Sequence, residues 1–451
     1  MTSSRIEHIA HHLKTDNGDE SSMAVQRVVQ LIPGVQSYDW GIKGARSSRV
    51  AQFAAATEQL QFAAEDDKPY AELWMGTHPS LPSRVITSSE GGYEALSSYL
   101  ASHPELIGDK VTRKFADEKP GCLPFLFKVL SVGKALSIQA HPDKALGRRL
   151  HQQRPDVYKD PNHKPEMAIA LTPFRGFCGF RPLSEIVHFL NAVPEFAQLV
   201  QLSKEELQHA ASLTDEAETK TVLKKIFGNL MNSPASTYEP LAAQLSSRFA
   251  GSAAIEGVGE VERKLVLKLA EEFPRDIGIF CTFLLNVATL QVGEALFLQA
   301  NEPHAYLEGE ILECMASSDN VVRAGLTPKL RDTETLIDMC TYQSGSDRGR
   351  LTPQPWNKSS PSTVEALLYD PPIEEFSVVT IRLNEGEAVE NKAVEGPSVL
   401  LVLEGEVEVG AGEERLRLAM GQLAFIAAGT AVEMVNMGEG QTRLARAFVE
   451  A

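Results

Sequence analysis

Between Lys134 and His141 the chain alternates, with Leu136, Ile138 and Ala140 on one face and Ser137, Gln139 and His141 on the other. That is the period of a half-buried strand, and the Pro142-Asp143 pair ends it. Phe125 to Leu130 reads as a buried strand. A second alternating run begins at Lys164, placing Lys164, Glu166 and Ala168 on one face and Met167, Ile169 and Leu171 on the other. From Val25 to Gly179 the chain therefore predicts short strands broken by turns. After Pro182 the period changes. Leu183, Ile186, Val187, Leu190 and Val193 form one helical stripe, Ser203 with Glu206 predicts a capping box, and Leu265, Leu269 and Phe273 mark another helix. Residues 182–275 are thus predicted to be mostly helical. Strand character returns near Gly278 and runs through Ala305. Thr352 to Ser362, rich in Pro and Ser, predicts a loop within a connecting segment spanning 352–384. From Glu385 onward alternation resumes, as in Val399–Leu401–Leu403 and Val407–Val409, punctuated by glycines such as Gly405 and Gly421. That pattern predicts an antiparallel jelly-roll or related barrel.

A length of 451 residues implies two or three domains. The net charge of −17 argues against nucleic acid or an anionic membrane as the main partner. An anionic small molecule would need a local cluster of Lys and Arg set against that trend. The five cysteines, Cys122, Cys178, Cys281, Cys314 and Cys340, are scattered and form no CxxC pair. This suggests a reducing, cytoplasmic setting and neither a disulfide framework nor a thiolate metal site. No apolar run reaches the roughly 18 residues that span a bilayer. Residues 1–22, with His8, His11 and His12, read as a disordered leader, and Met23 is an alternative start. A monomer is the default expectation.

The alternation around residue 139 has a chemical consequence. Gln139 and His141 point the same way, roughly 7 Å apart along a strand, and can reach one metal together. Glu166 can add a carboxylate from a second strand, and His304, after Asn301-Glu302-Pro303, a second imidazole from a third. Two imidazoles, one carboxylate and one amide oxygen suit Zn²⁺ as a Lewis acid. Two His and a carboxylate also match the non-haem iron set, so ligand types alone leave both metals open. Taken singly, a His at a strand end is more often a hydrogen-bonded structural residue.

The runs Gln139-Ala140-His141-Pro142-Asp143-Lys144, Asn162-His163-Lys164-Pro165-Glu166-Met167 and Asn301-Glu302-Pro303-His304-Ala305-Tyr306 occur in that order. So does the stretch from Glu313 through Ser317-Ser318-Asp319-Asn320-Val321-Val322-Arg323 to Lys329, preceded by Val35 to Gly41 and Tyr70 to Ser80. Together these resemble the successive signatures of type I phosphomannose isomerases of the fungal kind. The resemblance implies a mainly β chain with a helical domain: a discontinuous zinc-binding cupin domain (23–181 and 276–351), a helical insert (182–275) and a C-terminal cupin-like β barrel (385–451). It implies one Zn²⁺ per chain on Gln139, His141, Glu166 and His304, with Arg323 as the essential arginine. The implied reaction interconverts mannose 6-phosphate and fructose 6-phosphate, supplying GDP-mannose, glycosylation and cell-wall synthesis.

An aldose–ketose isomerase must open the sugar ring and move a proton between C1 and C2 through a cis-enediol or enediolate, whose oxygen needs electrostatic stabilisation. Arg323 can hold that oxygen or a phosphate through two bonds, or it can make a structural ion pair with an acid such as Asp319. Lys164, beside a metal ligand, can transfer protons or bind phosphate. Lys329 completes a basic cluster, and Lys144 is either a substrate contact or a solvated turn residue. Ser137 can contact phosphate or stabilise its strand. Glu313, Asp319 and His163 are candidates for proton relay or support of the ligands. Tyr306 is a pocket wall or a core aromatic. No histidine follows His304, so the C-terminal barrel has no histidine metal centre. The competing readings are a non-haem iron cupin oxygenase and a non-catalytic sugar-phosphate-binding cupin.

Overall fold

The computed structural model describes residues 25–86, 92–251 and 254–451; the leader expected at 1–22 lies outside them. The architecture is a sheet-rich body carrying a helical insertion. Its organising element is the long strand His304–Ala316. The C-terminal part of this strand is sandwiched between Phe125–Val132 and Glu166–Ala170, while its start pairs with Phe174–Phe180 and Ile138–Ala140. One strand can serve both groups only by bending. It does so at Gly309, whose φ is +106° and whose missing Cβ would lie 2.6 Å from the Pro173 carbonyl oxygen. A register shift between Arg175 and Gly176 in the partner strand completes the corner.

The helices Leu183–Ala192, Pro194–Val200, Lys204–Ser212, Glu216–Met231, Ala235–Ala250 and Glu260–Glu272 form the insertion. The expected capping box is present, with Glu206 N–H donating to Ser203 Oγ and Ser203 N–H to the Glu206 carboxylate. The apolar faces of these helices share one core with Ile138, Ala140, Ala305, Val322 and Ala324, so the helical domain packs directly behind the strands around residues 139, 304 and 323. Where strand character was expected after Gly278, Ile277–Phe283 is a 3-10 helix, buried at every position. Burial on all sides removes the period that separates a buried helix from a buried strand.

The C-terminal domain is a two-sheet sandwich around Val379, Ile381, Leu400, Val407 and Met434. It extends further towards the N-terminus than residue 385. The connecting segment 352–384 supplies the strands Gln354–Pro355, Ser359–Ser360, Glu365–Tyr369 and Ser377–Leu383. Val28–Ile32, near the other end of the chain, pairs antiparallel with Leu423–Ile426. The outer face of this sheet, with Val399, Leu401, Phe425, Ala445 and Ala447, packs on Leu73, Val129, Met167 and Leu312 of the central sheet in one shared core.

The strand Val322–Gly325 meets the exit of the helical insertion at close range. A Cβ on Gly325 would lie 2.8 Å from the Gly278 Cα and 3.0 Å from Asp276 Oδ1. The same carboxylate oxygen accepts the N–H groups of Gly278 at 2.6 Å and Leu326 at 2.7 Å. Gly325→Ala should therefore destabilise the fold by about 1–3 kcal/mol through overpacking. A urea midpoint equal to that of the unsubstituted protein would show that this contact does not set the strand's position.

Candidate metal centre and cleft

Pairing of Ile138–Ala140 with two neighbours puts Gln139 opposite His304 on one side and opposite Arg323 on the other. Glu166 opens its strand opposite Met315. His141, Glu166 and His304 are all buried, and one ligating atom of each lies within 4.8 Å of the others. His141 Nε2 is 3.3 Å from Glu166 Oε1, and His304 Nε2 is 3.4 Å from Glu166 Oε2. The far nitrogen of each ring is engaged, because His141 Nδ1–H donates to the Asn320 carbonyl at 2.7 Å and His304 Nδ1–H to the Glu302 carbonyl at 3.0 Å. A neutral ring that donates from Nδ1 presents a bare lone pair at Nε2. Each Nε2 thus faces a carboxylate oxygen in a buried site, with no hydrogen-bond partner among the described residues. With neutral rings such an arrangement is repulsive unless a cation lies between, so the donor set fits a metal ion.

The electrostatics agree. Burial pushes His141 down from 6.5 to about 4, keeping it neutral and able to ligate near neutrality. Burial alone would raise Glu166, but the Lys164 ammonium first, and the contact with His141 second, hold the carboxyl well below its usual range. Lys164 Nζ is 3.2 Å from Glu166 Oε1.

A chain of buried groups runs away from the triad. Tyr306 donates its hydroxyl to Glu313 Oε1 at 2.8 Å and lies 3.3 Å from Glu166 Oε2. Lys128 Nζ then bridges Glu313 at 3.1 Å and Glu72 at 3.3 Å, and sits over the Trp74 ring. Burial raises the Glu313 pKa despite the neighbouring Lys128. Burial would lower Lys128, but Glu72 and Glu313 outweigh it and the ammonium is held. Lys128, Glu72 and Trp74 were given no role in the sequence reading. The available signal was a lone lysine inside the apolar run Phe125 to Leu130, where an unpaired charge is not tolerated.

Above the triad opens a cleft of about 970 Å³, lined by Gln139, Lys164, Glu166, Tyr306, Glu313 and Arg323 among others. Asp319 stands on its wall, 3.4 Å from His78 Nε2, and this contact holds its carboxyl below the usual value. Asp319 is thus engaged with His78, and Arg323 has no ion pair among the described residues; burial alone depresses its pKa. Lys134, Arg275 and Lys329 also line the cleft without a carboxylate partner among the described residues. Ser137 Oγ donates to Gln139 Oε1 at 3.2 Å and so orients the amide. His163 and Lys144 do not join the group. Both reach Glu375, at 2.7 and 2.9 Å, away from the cleft. Their strand-face and turn positions did not reveal that a carboxylate more than 200 residues later would take them. A smaller depression of about 410 Å³ lies between the central sheet and the C-terminal sandwich. Its Arg350, Arg382 and Arg443 pair with Glu294, Glu365 and Glu404, leaving no free guanidinium there.

The chain matches the families described as phosphomannose isomerase type I catalytic domain over residues 28–183, helical insertion domain over 196–285 and C-terminal domain over 366–414. It is 47% identical over 445 residues to a mannose-6-phosphate isomerase of Cryptococcus neoformans, covering 94% of this chain and 99% of that one. Against the mannose-6-phosphate isomerase of Bos taurus it is 43% identical over 418 residues, covering 91% and 96%. Among solved structures it is similar to a zinc-bound mannose 6-phosphate isomerase, with 31% identity, TM-score 0.75 and coverage of 94% and 100%. An arginine-to-alanine mutant of phosphomannose isomerase from Salmonella typhimurium gives 30% identity, TM-score 0.76 and the same coverage.

The depressed His141 pKa has a consequence for the metal-free protein. A histidine lowered on folding contributes stability above its unfolded value of 6.5 and loses it as pH falls towards about 4. Metal-free protein should therefore lose up to roughly 3 kcal/mol across that window relative to His141→Gln. Parallel urea-midpoint curves for the two proteins would contradict the buried, neutral ring.

Proposed function

The chain belongs to the type I phosphomannose isomerase family, and from that premise we propose that it interconverts D-mannose 6-phosphate and D-fructose 6-phosphate with one zinc ion per chain. The observation that carries this reading is the buried His141–Glu166–His304 triad beneath an unpaired Arg323. Gln139 adds the fourth donor from the strand between His304 and Arg323. Zinc bound there supplies Lewis-acid polarisation of the sugar's reacting oxygens.

The protein's own groups divide the remaining work. Lys329, exposed at the cleft, and the other unpaired cations give the phosphate the basic surface that a chain of net charge −17 otherwise lacks. Arg323 lies deeper, with two strands between its own and that of Glu166, and holds the enediolate oxygen as charge develops on it. Glu313, buried and raised in pKa, takes the proton from C2 and returns it to C1 on one face of the cis-enediol, while the hydroxyl proton passes from O2 to O1, so that the carbonyl moves from C1 to C2. Tyr306 keeps Glu313 aimed by its hydrogen bond. Lys164 holds Glu166 ionised and offers an ammonium to a sugar oxygen. Ser137 acts through Gln139, and Asp319 serves ring opening from the cleft wall, positioned by His78. In metabolic terms the enzyme supplies mannose 6-phosphate for GDP-mannose, glycosylation and cell-wall synthesis, acting in the cytoplasm as a monomer. No helix among the described residues is long and apolar enough to cross a membrane.

Arg323→Ala tests the assignment. Turnover of mannose 6-phosphate, followed by NMR, should fall about 10²–10³-fold, the usual cost of losing one oxyanion donor. Metal content should stay unchanged. Loss of the metal in this variant would move Arg323 from chemistry to support of the ligands.

A further inference from the structure

We infer that Glu375, in the C-terminal domain, is a positioning residue for the reaction: it holds in place the two chain segments that deliver His141 and Lys164. The inference rests on the isomerase reading above. Glu375 lies in the turn between the strands Glu365–Tyr369 and Ser377–Leu383 and is 3% exposed. Its neighbours Ile373 and Phe376 pack into the core shared by the two sheet domains, so the turn is anchored against the catalytic body.

One oxygen of this carboxylate serves both segments. Oε1 accepts from His163 Nε2 at 2.7 Å and from Lys144 Nζ at 2.9 Å. His163 immediately precedes Lys164, whose ammonium lies against Glu166. Lys144 opens the helix Lys144–Gln153, and the cap of that helix, Asp143, is two residues after His141. The same Asp143 accepts from Asn301 Nδ2 at 2.8 Å, while the Asn301 N–H donates to the His141 carbonyl at 2.7 Å. Glu375 thus ties the two segments together from outside the cleft. Neither His163 nor Lys144 lines the cleft, so their interaction with Glu375 is free of any duty to substrate. Burial would raise this carboxyl, yet the bonds from His163 and Lys144 hold it down to about 2, so the clamp stays charged at working pH.

A group that acts only by position gives a characteristic set of changes. Glu375→Leu keeps the bulk and removes the acceptor. In the full-length, zinc-loaded protein it should lower kcat for mannose 6-phosphate about 10-fold, with zinc content retained and KM within about threefold, as expected when a reacting group is displaced rather than lost. Glu375→Gln, which still accepts from His163, should recover most of that kcat. His163→Leu should match Glu375→Leu, and the double variant should be no slower than either, because the two act as one unit. If Glu375→Leu does not fold, His163→Leu carries the same kcat expectation with the Lys144 bond left in place. Wild-type kcat in either folded variant, or losses that multiply in the double variant, would overturn the inference. An unsubstituted protein without turnover would instead overturn the isomerase reading.

Discussion

A buried carboxylate facing two imidazole Nε2 atoms that have no other partner sets the terms for the whole molecule. Glu166 needs positive charge beside it to ionise at that depth, and His141 and His304, each donating from Nδ1 to a backbone carbonyl, turn Nε2 towards it. The arrangement stands only with positive charge among the three groups, a metal ion at the centre and Lys164 at its edge. Each ligand must therefore be held against repulsion in the protein alone. That demand accounts for the elaborate support around them. Asn320, whose backbone carbonyl accepts from His141, donates its Nδ2 to the backbone carbonyls of Asp160 at 2.6 Å and Asn162 at 2.9 Å. Glu302, whose backbone carbonyl accepts from His304, has its carboxylate clamped by Arg348 at 3.0 Å and by the Thr341 hydroxyl.

The same logic extends outward through packing. The helical insertion shares its core with the strands that carry Gln139, His304 and Arg323, and the C-terminal sandwich shares another with the strands that carry Lys128 and Glu166. These two bodies brace the centre through separate cores. The C-terminal sandwich, which has no histidine and so no metal site of its own kind, contributes the anchored carboxylate of Glu375. The cleft opens between the central sheet and the helical insertion, which adds Glu272 and Arg275 to its wall, while the C-terminal sandwich packs on the central sheet.

The grouping of His141, Glu166 and His304 and much of the cleft lining were legible in the sequence, because strand alternation put Ser137, Gln139 and His141 on one face and because the motifs around residues 166, 304 and 323 resemble one family. The helical insertion announced itself by its period. What was not legible depended on distance along the chain. The Lys128–Glu313–Glu72 cluster joins three strands, and the partner of His163 and Lys144 is a residue more than 200 positions later. Val28–Ile32 gave no sign that it completes a sheet with residues near 425. The 3-10 helix Ile277–Phe283 was hidden because burial on every side leaves no alternation to read.

The most direct test of the account is turnover of mannose 6-phosphate to fructose 6-phosphate by the purified chain, before chelation, after it, and after zinc is added back, with bound metal counted at each stage. Activity should vanish with the metal and return in proportion to zinc, reaching its plateau at one ion per chain. Full turnover in protein stripped of metal, or a plateau of bound zinc with no turnover, would contradict it.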